Sequence, residues 1–430
     1  MNGGRAAPLR LYPSAYCGEM TTCEPMMRVL LVHNRYRTSA PSGEDVAVGN
    51  ERRMLESRGV DVVPFERCND DMDDNSMLSK VSNAAATIWS ARARSELRQL
   101  LRKTRPDVVH VHNTFATLSP SIYSACAAAG VPVVQTLHNF RFFCPGALLL
   151  RDGKPCEACL ERTLMESLKY RCYRGSLAAT ATLAAMLTLH RAIGTYDRDI
   201  QRYIILTRFG RSKAVKGGID EKKIVVKPNF LPDPPPAGRG EGDYVIYVGR
   251  LLEGKGVETL IRAWRKLPHV KLKILGDGAL RAGLEATAKA DNLNIEFLGR
   301  QDRPAVLAAI SAAKLLMIPS ECYEGFPMVI AESFACGTPI LGSRIGSMEE
   351  LIVEGETGRK FVAGNPEDLA RQLQSMLQDS PALVQMRVRA RAFFEANLTE
   401  EQNFAQLMNV YADVLASQPR ALDPVMRTQP

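Results

Sequence analysis

The 430-residue chain has no apolar run long enough to cross a bilayer. The uncharged stretch over residues 176–190, rich in Ala and Thr, falls short of the roughly 20 apolar residues a spanning helix needs. The first 25 residues lack the charged start, apolar middle and small-residue cleavage site of a secretory signal, so a cytoplasmic protein is expected. Met20, Met26 and Met27 precede the first strong apolar run, and residues 1–26 read as an unstructured leader or an upstream start. No Gly-x-Gly-x-x-Gly follows that run, which argues against a nicotinamide dehydrogenase. Asp71-Met72-Asp73 has the letters of a metal-holding Asp-x-Asp, but it sits among Asn69, Asp70, Asp74 and Asn75 and reads as a loop. The charge excess is small: 55 Lys and Arg against 47 Asp and Glu leave +8, which a nucleotide, a phospholipid surface or an RNA would all satisfy.

What is present is an ordinary globular composition, 46% hydrophobic and 24% charged, in a chain too long for one core. Residues 28–33 form a short continuous apolar run of the kind a buried parallel strand shows, and a helical pattern over 45–57 follows. Strand-like runs recur at 62–65, 108–111, 133–137, 203–206 and 224–226, interleaved with helices. Residues 231–242, rich in Pro and Gly, read as an interdomain linker. A second alternation begins at once, with strands at 244–248, 270–275, 295–298 and 315–318 and helices between them. The expectation is an α/β protein with two parallel sheets: one domain over 27–230, a second over 243–398, and a closing helix over 399–417 that packs back toward the first.

Open parallel sheets bind ligands at the carboxyl ends of their strands. After the run 244–248 comes Gly249-Arg-Leu-Leu-Glu-Gly-Lys-Gly256, which puts Arg250 and Lys255 in a glycine-flanked loop ahead of a helix. Two cations, close backbone approach at glycine and the positive end of a helix suit a diphosphate. Further on, Glu324-Gly-Phe-Pro-Met-Val-Ile-Ala-Glu332 sets two carboxylates eight positions apart across a helix start whose free amides suit a sugar or phosphate.

These residues resemble the retaining GT-B glycosyltransferases of family 4, glycosyltransferase group 1. The likeness rests on the Glu-x7-Glu stretch 324–332, on Gly249-Arg250 with Lys255-Gly256, on Gly276-Asp-Gly278, on the cleft-lining segments 107–113 and 136–139, and on Ser42-Gly43, where the family has paired glycines. The resemblance implies a GT-B fold, two Rossmann-like domains facing a central cleft, and transfer of a sugar with retention and without a metal in the chemistry. It implies that Arg250 and Lys255 hold the donor diphosphate, that Glu332 binds the ribose and that Glu324 contacts the donor sugar. Gly43, Gly325, Phe326, Pro327, Met328 and Val329 complete the donor pocket, and His138 sits near sugar and acceptor. The expected partners are a UDP- or GDP-sugar and a glycan or lipid-linked acceptor in cell-envelope glycan synthesis, with no nucleic acid. A soluble-acceptor transferase and a catalytically silent nucleotide- or glycan-binding module are the alternatives.

Two further features stand outside that pattern. Residues 89–103 read as a helix with Trp89, Leu97, Leu100 and Leu101 on one face and Arg92, Arg94, Arg98, Arg102 and Lys103 on the other, which suits either a solvated face or a peripheral contact with an anionic membrane surface. In an insert over 144–172, Cys144, Cys156, Cys159 and Cys172 supply four thiolates, enough for a tetrahedral structural zinc site; ordinary reduced thiols are the alternative.

Overall fold

A computed structural model describes residues 27–38, 42–72 and 76–417. The expected leader, residues 1–26, and part of the polar stretch around Asp73 lie outside these. The first sheet is built from β1 (Arg28–Arg35), β2 (Asp61–Cys68), β3 (Val108–Asn113), β4 (Val133–Leu137), β5 (Arg202–Ile205) and β6 (Ile224–Val226), in the order β2-β1-β3-β4-β5-β6. The second is built from β7 (Tyr244–Val248), β8 (Lys271–Leu275), β9 (Ile295–Gly299), β10 (Leu316–Ile318), β11 (Ile340–Ser343) and β12 (Gly358–Phe361), in the order β9-β8-β7-β10-β11-β12. All pairings within both sheets are parallel. The expected pair of Rossmann-like domains is therefore formed.

Burial on both faces explains the apolar strands. Leu30, Val32, Val109 and Val111 pack to one side of the first sheet, whereas Val29, Val108, Val134 and Ile204 pack to the other. That second side is covered partly by the last helix, Glu400–Ala416, through Leu407, Val410, Tyr411 and Val414. The last described helix thus completes the core of the first half.

Three local features add to the sequence expectation. Strands β11 and β12, unforeseen, complete the second sheet; Gly342, Arg359 and Lys360 interrupt their apolar character, and pairing of β11 with β10 and of β12 with β11 supplies what the side chains do not. A separate helix, α2 (Met77–Ile88), precedes the helix expected over 89–103, which is α3 (Ala91–Thr104) and excludes Trp89 because the Ser90 hydroxyl caps it by accepting from Ala93 N–H at 3.2 Å. Its apolar residues Ala93, Leu97 and Leu101 are buried in the core, leaving a basic outer face without an apolar one beside it. The Pro- and Gly-rich linker is no free tether: Arg391 donates to the Pro235 carbonyl at 2.8 Å, and Gly238 N–H to the Cys336 carbonyl at 2.9 Å.

Candidate active site

In each sheet the order reverses beside the first strand, between β1 and β3 and between β7 and β10, and crevices open at such points. The loop after β7 is shaped by glycine. Gly256 has φ +69°, and a Cβ there would lie 1.7 Å from the Pro319 carbonyl oxygen. This close approach brings Lys255 Nζ to 2.6 Å from Glu324 Oε1, which also accepts from the Ser320 hydroxyl at 2.9 Å. Burial alone would push the Glu324 carboxyl up, but Lys255, Ser320 and Arg250 together hold it below the usual carboxylate range. The Tyr247 hydroxyl donates to the Arg250 carbonyl at 3.0 Å, fixing the start of the loop. Phe326 and Ile330 are buried in the second core, which anchors the helix Met328–Ala335 with its amino-terminal end at the crevice.

The two halves touch here. A Cβ on Gly325 would meet the His138 carbonyl oxygen at 2.7 Å, and one on Gly43 would meet Met328 Cγ at 3.8 Å. His138 Nε2 is 2.9 Å from His112 Nδ1, and His112 Nε2 is 3.1 Å from Glu51 Oε1. Glu51 also pairs with His110 and, at 3.1 Å, with Lys227, while His110 Nδ1 meets the Tyr411 hydroxyl at 2.7 Å. Burial drives the His112 imidazole down to about 3 and His138 well below the usual histidine value. Burial opposes ionisation of Glu51, yet Lys227 and the two histidines hold its carboxyl well below the ordinary value. His138 therefore enters the crevice neutral, on a charged foundation.

Sequence reasoning overlooked Glu44. The Ser42 hydroxyl caps α1 (Gly43–Ser57) by accepting from Glu44 N–H at 3.0 Å, and Glu44 then lies buried with Asn139 donating to its Oε2 at 3.2 Å. Its Oε1 has no hydrogen-bond partner among the described residues, and burial raises the carboxyl to about 7. Glu44 and Glu51, seven residues apart, share the buried face of one helix with Ala47 and Val48. An acid on an apolar face at that spacing was the available signal.

One cleft of about 1530 Å³ gathers Gly43, Glu44, His138, Arg250, Lys255, Glu324, Gly325, Phe326, Pro327, Met328 and Val329. Glu332 does not line it; its carboxyl, raised by burial against the pull of Arg303, lies beyond the first turn of the helix. The zinc expectation is corrected by the geometry. Cys144, Cys156, Cys159 and Cys172 feel one another's charge, and burial followed by that repulsion pushes Cys159 up to about 12, but no three of the sulfurs close to 4.8 Å. Among the described residues the one metal-type group that does so is Glu51, His110 and His112, where Lys227 already occupies the carboxylate. The eight described cysteines are free thiols.

Two family models cover nearly all the described chain: "Glycosyl transferase 4-like domain" over residues 27–229 and "Glycosyl transferases group 1" over 234–393. The chain belongs to the group 1 glycosyltransferases. N-acetyl-alpha-D-glucosaminyl L-malate synthase of Bacillus anthracis is 32% identical over 178 residues, 40% of this glycosyltransferase and 45% of that protein. The chain thus spans about half the length of this curated relative. Glycogen synthase of Mycobacterium tuberculosis is 27% identical over 400 residues, 85% of this chain and 89% of that one. The GT-B fold is shared with HepE of Anabaena, solved with UDP and glucose, at a TM-score of 0.62 and 15% identity over 90% of this chain and 100% of that one.

Proposed function

We propose that this group 1 glycosyltransferase moves a sugar from a UDP- or GDP-sugar to a lipid-linked or polysaccharide acceptor, with retention of configuration, in cell-envelope glycan synthesis at the inner face of the cytoplasmic membrane. The observation that carries the reading is the Lys255–Glu324 pair beside Arg250 in a cleft shared with His138 and Glu44. Departure of the nucleotide diphosphate builds negative charge, and cations fixed in advance stabilise it without reorganising. Glu324 keeps Lys255 aimed into the cleft while the site is empty. A diphosphate competes for that ammonium and releases the carboxylate to accept from hydroxyls of the donor sugar. The amides at the start of the helix Met328–Ala335 favour the same anion. Neutral His138 offers a hydrogen bond to the sugar without adding charge. Glu332 is assigned to the ribose. The HepE structure holding UDP and glucose supports a uridine donor. Bond breaking and making on one face through an oxocarbenium-like ion pair then gives retention, with no metal in the chemistry.

The test is a panel of UDP-, GDP- and ADP-sugars, following binding and slow hydrolysis with wild type, Arg250→Ala and Lys255→Ala. One donor should bind, and each substitution should lower turnover by about two orders of magnitude. Near-normal turnover in both variants would reject the diphosphate assignment, and tight donor binding with no turnover under any condition would favour a silent binding module.

A further inference from the structure

A second hollow, about 1680 Å³, opens in the first half between α2 and the helix Leu177–Ala192. Its walls are apolar at Met72, Ala84, Phe115 and Leu183 and cationic at Arg37, Lys80, Arg141 and Arg174, and among the described residues none of its lining side chains is acidic. Among the described residues Lys80, Arg141 and Arg174 form no salt bridge: Arg141 lies over the Phe115 ring at 4.0 Å and Arg174 over Tyr173 at 5.2 Å. Stacked guanidinium groups in an apolar trough suit an anion with organic bulk attached.

The two ends of the groove differ. Toward the interior it shares Tyr36 with the donor cleft, and there the Tyr36 hydroxyl approaches Glu44 Oε2 at 3.4 Å while Oε1 of the buried Glu44 has no hydrogen-bond partner among the described residues. His190 Nε2 against the Ile88 carbonyl at 2.9 Å ties the carboxyl ends of the two helices, so their amino ends lie together at the other end. Met77, Leu78 and Val81 of α2 stand there 75%, 84% and 62% exposed, with Leu177 of the neighbouring helix at 51%. Four large apolar side chains at the mouth of a cationic groove form a lip that water does not reward.

We infer that this groove is the acceptor site, and that it takes the phosphorylated head of a membrane-resident amphiphile whose apolar chain remains in the bilayer beneath the lip. The inference rests on the transferase reading above. The head's phosphate pairs with Lys80, Arg141 and Arg174, and its hydroxyl reaches Glu44 Oε1 at the inner end. The lip, not the basic face of α3, makes the membrane contact.

Co-sedimentation of the full chain with phosphatidylcholine vesicles, plain or doped with hexadecyl phosphate, tests this. Wild type should bind the doped vesicles at least about tenfold more tightly than plain ones, and Met77→Ser with Leu78→Ser should lose about tenfold or more of that binding. Both positions are exposed, so folding is not at stake. Lys80→Glu with Arg174→Glu should abolish the preference for hexadecyl phosphate, whereas Arg98→Glu with Arg102→Glu on α3 should change binding by less than about twofold. Loss of binding through the α3 variant alone, unchanged binding by the lip variant, or wild type without preference for the doped vesicles would each overturn the inference. Nucleotide-sugar titration in solution is the separate control: vesicle binding failing while donor binding persists defeats this site and leaves the transferase reading standing, and failed donor binding defeats that reading.

Discussion

Replacing Glu51 by Gln should be among the most damaging single changes in the first half, although Glu51 lies outside the proposed chemistry. Its side chain is 6% exposed and that of Lys227, 3.1 Å away, is 4% exposed. Gln keeps the volume, so no cavity term enters. What changes is that Lys227 loses its counter-charge and retains Asn403 Oδ1 at 2.8 Å as a neutral partner. Removing one member of a buried pair costs about 3–5 kcal/mol. For a domain of this size, about 2–4 °C per kcal/mol translates that into a fall in Tm of roughly 6–20 °C. Lys227→Met should cost a similar amount, and the double variant should cost less than the sum, because two residues facing each other without charge leave nothing uncompensated. Urea unfolding of the two single variants and the double variant, read as a cycle, is the assay. A Glu51→Gln cost below about 1 kcal/mol, or strict additivity, would show that the carboxylate is not ionised in the fold and that His112 and His138 do not rest on it.

The pH dependence of stability should carry two opposed signatures. Glu44, raised by burial to about 7 from an ordinary 4.5, contributes stability that is complete below 4.5 and is lost as pH rises through 7, so Glu44→Gln should flatten the decline between those values. His112, lowered to about 3, contributes in the opposite sense: its share is complete above 6.5 and is lost as pH falls toward 3, and denaturant midpoints of His112→Gln should be less acid-sensitive than wild type. Identical pH profiles for wild type and variants would refute either assignment. Gly325→Ala would set a Cβ 2.7 Å from a backbone oxygen that cannot rotate away, so donor affinity should fall and stability should drop by about 1–3 kcal/mol; an unaltered donor titration would mean the two halves do not meet at His138. Glu332→Ala should weaken donor binding without lowering turnover at saturation, and an unchanged titration would remove its ribose role.

Much of the fold was legible because strands buried on both faces must be apolar throughout, as 28–33 and 244–248 are. The loops carrying Arg250, Lys255 and Glu324 were legible because glycine and charge together, directly after such a run, have few other uses. Strands β11 and β12 were not, since Gly342 and Lys360 take their conformation from neighbours in the ladder and not from their own side chains. Glu44 and Glu51 were missed, their spacing on the apolar face of α1 being only a weak signal. Their burial arises only when β3, Lys227 and the last helix assemble around α1, elements up to 360 positions distant in the chain. The four cysteines show the converse: spacing brought them to one knob, but shared neighbourhood is a weaker condition than shared coordination.

The described chain crosses between its halves twice, once on entering the linker and once on entering the helix Glu400–Ala416, and the two crossings lie side by side, with Leu231 N–H donating to the Leu398 carbonyl at 3.3 Å. Because Arg391 straps the linker to the second half, neither crossing has slack to pay out. Any widening of the cleft is then a rotation about this double-stranded pivot, and the margin where Glu350 accepts from the amides of Arg208 and Phe209 at 2.8 and 2.9 Å, linked to the pivot only through folded structure, acts as the latch. The same layout sets where the gene can be cut. A fragment ending at the linker would expose the face of the first sheet that the last helix covers, so an independently folding first half has to borrow residues 399–417 from the far end, grafted behind residue 230.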